Sequence, residues 1–514
     1  MSAKPVYSAP AVRVAAPGWL TASIMLATIM QVLDTTIANV ALPHMAASLG
    51  ATQEEVTWVL TSYIVASAIA TPLTGWVADR FGRRAVFVTA IAGFVLTSLA
   101  CGLAVGLPEM VAFRILQGIF GAVIIPLAQA VLLDINPRER IGQAMAVYGA
   151  GIMIGPIIGP TLGGWLTEVF NWRYVFFINL PVGMIAMAGV WAFLPKEDTR
   201  KRRFDVFGFA MLAVAVGSLQ LLLDRGQSVD WFHAVESWIY LGLIVGGTWV
   251  FIVHSFTAAD PFVNPRMFAD RNFAMGLIFI FVVGLTMFSG LALLPPLLQK
   301  LMGYPVISTG IVMAPRGVGT MVSMILVGRL VSVIDSRALV CFGLAATAVS
   351  MWMMAGFSVG MDAHLIVMSG ILQGFGLGFV FVPLSTLTFA TIDARFRGDA
   401  TSMFSLVRNV GSGVGISVVT TVLARMSVVN HEELGASLTA TAPQVQMQMP
   451  QLIGGSRGLL AQADQMVSAQ AAMIGYVDNF LLMMYLTLAV FPIVLFLRKP
   501  PAHGPAPEVH AAME

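Results

Sequence analysis

Fourteen runs of mainly apolar residues follow one another along this 514-residue chain. They lie near 19–43, 54–78, 84–106, 108–133, 141–167, 173–195, 204–223, 236–256, 272–298, 306–331, 337–357, 363–390, 398–425 and 477–497. A helix needs ~20 such residues to cross the hydrocarbon core of a bilayer. The pattern therefore predicts an all-α polytopic membrane protein with fourteen spans. Composition points the same way. Only 11% of the residues are charged and 58% are hydrophobic, whereas soluble domains are about 25% charged. The first run, Trp19 to Leu42, contains Asp34 and lacks a convincing cleavage site, so it reads as a retained span and not a signal peptide.

Basic residues give the orientation. With the amino terminus placed in the cytoplasm, 20 of the 28 Lys and Arg fall in cytoplasmic segments, five in external ones, and Arg114, Arg316 and Arg408 within spans. The positive-inside rule favours this placement. An error of one span would scramble the asymmetry, which persists to the last loop. An even number of spans with both termini inside is expected.

The chain also repeats itself. Ile115-Leu116-Gln117-Gly118 returns as Ile371-Leu372-Gln373-Gly374, and Pro126-Leu127 as Pro383-Leu384. Gly142, Gly155 and Gly159 match Gly398, Gly411 and Gly415, and Gly75 and Arg84 match Gly328 and Arg337. Matches at nearly one offset in consecutive spans indicate duplication. The expected organisation is a six-span half over 1–195, a linker with two inserted spans over 196–270, and a second six-span half over 271–514. The second half includes a long external loop, 426–475, with an apolar stretch near Met466–Ile474 suited to an amphipathic helix. Two such halves suit a transporter with its substrate site at their interface and alternating access by rocking.

Other classes find no support. A net charge of +2 suggests no attraction to nucleic acid. Cys101 and Cys341 lie in apolar runs, the seven His are scattered, and no metal-ligand spacing exists. No Lys is followed by Ser or Thr, so there is no phosphate-binding loop for ATP. No nucleophile, base or metal cluster points to a membrane enzyme, and no filter-like repeat points to a channel. No catalytic residue and no cofactor are expected; a proton gradient would drive the cycle.

Several residues carry the chemistry. Asp34 lies sixteen residues into the first span, counting from Trp19, where an ion costs ~2.5–3.5 kcal/mol to insert. It is the one acid placed deep in a span and so the candidate proton carrier. Arg114, near the outer end of the fourth span, is its candidate partner; a static buried pair is the plainer reading. The loop Gly75-Trp76-Val77-Ala78-Asp79-Arg80-Phe81-Gly82-Arg83-Arg84 reads as a conformational latch, with Asp79 facing Arg83, Asp134 and the positive end of the thirteenth span near Gly398. In the fifth span Gly151, Gly155, Gly159 and Gly163 form a groove for close backbone approach, Gly164 adjoins it, and Pro156 and Pro160 should kink it. The 31 Met and 32 Phe suit an adaptable apolar pocket. Asn39, Tyr63, Gln117, Arg316, Arg408 and Asn409 are its candidate polar members.

These motifs resemble a known family. Gly75–Arg84 is similar to the signature loop of the major facilitator superfamily. Leu33–Pro43 resembles the first-span signature of its fourteen-span drug–proton antiporters. Arg114 with Gln117, Gly118 and Gly121 resembles the fourth-span motif, and Gly151–Gly164 the fifth-span antiporter motif. Asn171–Arg173 through Asn179–Pro181 fits the sixth-span entry, and Leu223–Gly226 with Asp230–Phe232 the loop between the inserted spans. Over residues 19–498 the chain is thus identified as a member of the EmrB/QacA family, on its EmrB side. The resemblance implies the major facilitator fold, proton coupling at Asp34 and Arg114, and a fifth-span motif that marks exporters. It also implies residence in a bacterial inner membrane and export of hydrophobic or amphipathic compounds. A periplasmic adaptor and an outer-membrane channel would be the partners. The alternative is a proton-coupled importer of a small organic acid on the same fold, against which the glycine motif argues.

Overall fold

A computed structural model describes residues 14, 16–52, 55–137, 140–196, 199, 203–331, 333–437 and 457–497. The described residues are helical with no strand. The first half comprises α1 (Pro17–Leu49), α2 (Trp58–Ala70, continued by Leu73–Phe81), α3 (Arg83–Leu103), α4 (Leu107–Ile135), α5 (Ile141–Val169) and α6 (Tyr174–Phe193). Two inserted helices follow, α7 (Val206–Arg225) and α8 (Val235–Thr257). The second half comprises α9 (Arg271–Pro296), α10 (Val306–Leu330), α11 (Ser336–Met354), α12 (Ala363–Ala390), α13 (Arg397–Ser437) and α14 (Arg457–Ala489).

Among the described residues, 12 helices are long and apolar enough to cross a membrane, and 13 when the bent α2 is counted as one span. The expected ninth span coincides with α9, whose fully described apolar part is Arg271–Thr286. The fold is therefore compatible with fourteen spans.

Local chemistry explains the breaks. The segments of α2 meet at 60°, just where Pro72 removes a backbone donor. In α5 the helix is interrupted at Met153, between Ile152 and Ile154. Pro156 has no N–H for the Ile152 carbonyl, so the break falls one turn before the first proline. Pro160 is carried inside the helix.

The two halves are built alike. In the first, α1 packs on α5 and α6, α2 on α4, and α3 on α4 and α6. In the second, α9 packs on α13, α10 on α12, and α11 on α12 and α14. The halves meet where α5 faces α10 and α12, and where α2 and α4 face α13. The inserted α7 touches α2, α8 and α13. Only 11% of the apolar window of α8 is buried, and Trp238, Ile239, Trp249 and Phe256 point outward, so lipid is its main neighbour.

One expectation needs correction. The external loop expected over 426–475 is largely helix, because α13 runs on to Ser437 and α14 begins at Arg457; residues 438–456 lie outside the described ones. At 1.5 Å per residue the 41 residues of α13 reach about 60 Å, twice a ~30 Å hydrocarbon core. Apolar runs mark the length of a span. The helix itself continues through polar residues such as Glu432 and Glu433, and no proline stops it before Ser437.

Candidate functional site

Asp34 and Arg114 meet in the first half with both side chains 0% exposed. Arg114 Nη1 donates to Asp34 Oδ2 at 2.7 Å. The other oxygen, Oδ1, accepts from Gln117 Nε2 at 3.0 Å and from Asn179 Nδ2 at 2.7 Å. Arg114 is fixed further by Gln117 Oε1 at 2.7 Å and the Val59 carbonyl at 2.9 Å. Asn179 also donates to Ser98 Oγ at 2.9 Å, which donates to the Phe176 carbonyl. Cys101 Sγ lies 3.7 Å from Gln117 Oε1. Three donors, one of them the paired guanidinium, thus hold a carboxylate away from water. Protonating it would remove the counter-charge of a buried guanidinium, so charge at Asp34 is tied to the arrangement around Arg114. Asn179 was not singled out as a site residue, although it lies in the Asn179–Pro181 motif. It reaches Asp34 from α6, and sequence spacing does not reveal that meeting.

The α5 glycines seat the helix that carries Asp34. A Cβ on Gly155 would stand 2.9 Å from Val32 Cγ1 and 3.3 Å from Leu33 N, and one on Gly163 3.2 Å from Ile37 Cα. Gly151 abuts Met25 and Gly159 abuts Thr36. The expected groove is therefore filled by α1, with Leu33 and Thr36 on either side of Asp34. A Cβ on Gly164 would meet nothing within 4 Å, so this glycine makes no close approach of this kind. The duplicated glycines do the same in the second half, where Gly411 and Gly415 abut the α9 backbone at Phe281 and Leu285.

A charge clamp joins the halves at one face, the latch face. Asp134, at the end of α4, pairs with both Arg83 at the start of α3 and Arg397 at the start of α13. Gly75 lies so close to Asp399 that no side chain fits there, and a Cβ on Gly398 would stand 3.3 Å from Gly75 Cα. Gly82, with φ of 85°, makes the turn between α2 and α3. The expected loop is helix up to Phe81, so Asp79, half-buried, and Arg80, exposed, lie in the last turns of α2, and Arg84 lies over the Trp191 ring at 5.2 Å. Arg397 and Asp399 were missed by sequence reasoning, which looked for the partner in the helix end and not in its side chains.

A cavity of about 630 Å³ lies between the halves, within the usual range for small-molecule sites. Gln31 and Thr35 of α1, Tyr63 of α2, Phe381 of α12, and Arg408 and Asn409 of α13 are on its wall. The inserted α7 contributes Gln220 and Asp224. Asp224 and Gln227 are exposed and lie at the end of α7 away from the latch face, so the cavity opens on the opposite face.

The remaining candidates separate. Gln117 belongs to the buried cluster. Asn39 lies on the same side of α1 as Thr35 but one turn beyond the cavity lining, and is exposed. Arg316 is 6% exposed and off the cavity wall, beside Gly290 and Gln373. The repeat explains its place. Gly118 packs on the Tyr63 carbonyl, and its counterpart Gly374 packs on the Arg316 carbonyl. Arg316 therefore stands where Tyr63 stands in the first half, and Gly370, three residues before Gln373 as Arg114 is before Gln117, stands in the place of Arg114. Among the described residues no cluster of His, Cys, Asp and Glu suits a metal.

Known proteins share both pattern and fold. The model of the Major Facilitator Superfamily matches residues 24–416. Multidrug export protein EmrB of Escherichia coli K12 is 34% identical over 489 residues, covering 94% of this chain and 95% of that protein. Fatty acid resistance protein FarB of Neisseria gonorrhoeae is 35% identical over 502 residues, covering 96% and 98%. In structure the chain is similar to the human organic anion transporter MFSD10, with a TM-score of 0.59, 16% identity, and 91% and 99% coverage. It is also similar to the proton:xylose symporter XylE, with a TM-score of 0.57, 14% identity, and 93% and 95% coverage.

Proposed function

The chain belongs to the major facilitator superfamily, on the branch of EmrB-like transporters, and from that premise we propose that it is a proton-coupled exporter of hydrophobic or amphipathic compounds. The observation that supports this reading is the fully buried Asp34–Arg114 pair, in which a carboxylate of α1 is held by groups of α4 and α6. The names of the relatives support export: EmrB is a multidrug export protein and FarB a fatty acid resistance protein.

In this reading the latch face is cytoplasmic, in keeping with the excess of basic residues there, and the cavity is open to the periplasm of a bacterial inner membrane. Substrate leaves through the open mouth and a proton enters from the same side to reach Asp34. The latch then releases, the halves rock, and the proton is lost inside. Arg408 and Asn409 would meet polar groups of the substrate while the apolar walls hold its body. No bound cofactor is called for. The projecting ends of α13 and α14 offer a place for a periplasmic adaptor that leads to an outer-membrane channel.

The test is reconstitution with an internal pH dye and a panel of lipophilic cations and anions, comparing wild type with Asp34→Asn. Substrate-driven proton flux that vanishes in the variant is expected. Flux that survives unchanged would return Asp34 to a structural role. Accumulation measured in cells separates export from import directly.

A further inference from the structure

The cavity lining does not include Asp34 or Arg114, and Tyr63 touches both the cavity and Arg114. Tyr63 lies on the cavity wall, is 4% exposed, and presents its ring face to the Arg114 guanidinium at 4.3 Å. The side chains that hydrogen-bond to Arg114, Asp34 and Gln117, and the other ring facing it, Phe176, are off the cavity wall. Two glycines of α4 make this seat. Gly118 lets α4 approach the Tyr63 backbone, since a Cβ there would stand 2.5 Å from the Tyr63 carbonyl oxygen. Gly121 leaves room for the far end of the ring, since a Cβ there would stand 2.9 Å from the Tyr63 hydroxyl. The spacing Arg114, Gln117, Gly118, Gly121 therefore places on one helix the guanidinium, the amide that orients it, and the seat of the tyrosine that covers it.

We propose that Tyr63 is the coupling gate of this transporter: its ring seals Asp34 and Arg114 from the cavity, and a substrate that displaces it in passing opens the water path by which Asp34 exchanges its proton. The inference rests on the proton-coupled reading above and adds the residue through which occupancy of the cavity reaches the proton site. A cation–π contact with a desolvated guanidinium holds the ring in place, and exclusion of water keeps the carboxylate from exchanging protons without substrate. Tyr63 is a positioning residue, since it acts through Arg114 and through the water it excludes. The second half shows the contrast. Arg316 occupies the corresponding place there, and Gly370 stands where the guanidinium that the tyrosine would cover is expected.

The experiment is carbodiimide labelling of Asp34 in the purified full-length protein, read by mass spectrometry, on wild type, Tyr63→Phe and Tyr63→Ala. The label attaches to a protonated carboxyl that reagent and water can reach, so the readout does not require transport. Wild type should label slowly and Tyr63→Phe, which keeps the ring, at the same rate; Tyr63→Ala should label about tenfold faster as water enters. In vesicles with an internal pH dye, Tyr63→Ala should also leak protons without substrate. Equal labelling of Tyr63→Ala and wild type would overturn the gate. So would fast labelling of Tyr63→Phe, which would assign the effect to the hydroxyl. If Tyr63→Ala does not fold, Tyr63→Leu, which also lacks the ring, takes its place with the same expectations. Absence of proton flux from wild type with every compound would sink the coupled reading above, while the labelling rates would still decide whether Tyr63 covers Asp34.

Discussion

The Arg114 guanidinium donates to the Asp34 carboxylate at 2.7 Å, and both side chains are completely buried. Such a pair is costly to break from one side, because the survivor remains as an uncompensated buried charge, worth about 3–5 kcal/mol. Arg114→Gln and Asp34→Asn should each lower the thermal stability of the detergent-solubilised protein. The double variant should be more stable than the sum of the two losses predicts, since it buries no lone charge. Strict additivity in a double-mutant cycle would mean that the two groups do not stabilise one another.

The latch makes a different prediction, about conformation. Asp134 lies between Arg83 and Arg397 and pairs with both across the junction of the halves. Asp134→Asn removes the carboxylate that Arg83 and Arg397 share, and with it charge-assisted hydrogen bonds of about 1.5–3 kcal/mol apiece. The population should shift towards a state open at the latch face. Cysteines placed behind Gly75 should then react faster with a membrane-impermeant thiol reagent applied from that side. Unchanged reactivity would mean that apolar packing, not this clamp, keeps the face closed.

Gly155 and Gly164 stand in one motif and should respond oppositely to the same change. A methyl on Gly155 meets Val32 and the Leu33 backbone, whereas one on Gly164 meets nothing within 4 Å. Gly155→Ala should cost about 1–3 kcal/mol by overpacking and disturb coupling, since α1 carries Asp34. Gly164→Ala should be neutral to within about 0.5 kcal/mol. Melting curves and proton flux for the two variants check this, and equal effects would dissociate the motif from the seating of α1.

These contrasts show what the sequence makes legible. Asp34 and Arg114 stand out because a charge inside a long apolar run is costly wherever it ends up. The groove of α5 is visible because glycines four residues apart share a helix face. The third dimension is not visible: Asn179 reaches Asp34 from a helix 145 residues away, and Arg397 reaches Asp134 from 263. The length of α13 was hidden for another reason. Hydropathy reports where the bilayer ends, and a helix needs no bilayer to continue.

Asp205 ties the inserted pair down at the latch face. Burial pushes its carboxyl up, but the N–H groups of Gly208 and Phe262 and the His254 ring outweigh this and hold it below the usual carboxylate range. A depressed value stabilises the fold above the unfolded value of ~3.9 and is lost as pH falls through the folded one. Asp205→Ala should cost about 1 kcal/mol at neutral pH. The difference between variant and wild type in thermal unfolding should shrink as pH falls below about 4. A difference independent of pH would assign the loss to packing alone.

The inserted helix α7 is fastened to the first half at both ends. Near the cavity mouth Thr61 of α2 donates to Asp224 at 2.6 Å. At the latch face Trp76 of α2 stacks on Phe204 at 4.6 Å and donates to the Arg203 carbonyl at 3.3 Å. Against the second half, α7 meets α13 across a glycine: a Cβ on Gly413 would stand 3.2 Å from Gln220 Oε1 and 3.5 Å from Leu223 Cδ1. A surface without a side chain suits sliding, and a hydrogen bond with a ring stack at the other end suits holding. The insert should therefore travel with α2 when the halves rock. A disulfide cross-link between Thr61→Cys and Asp224→Cys should leave transport running at a rate close to the reduced protein. A cross-link between Gln220→Cys and Gly413→Cys should stop it, reversibly on reduction. If the first cross-link stops transport and the second does not, the insert moves with the second half, and α2 is the surface that slides.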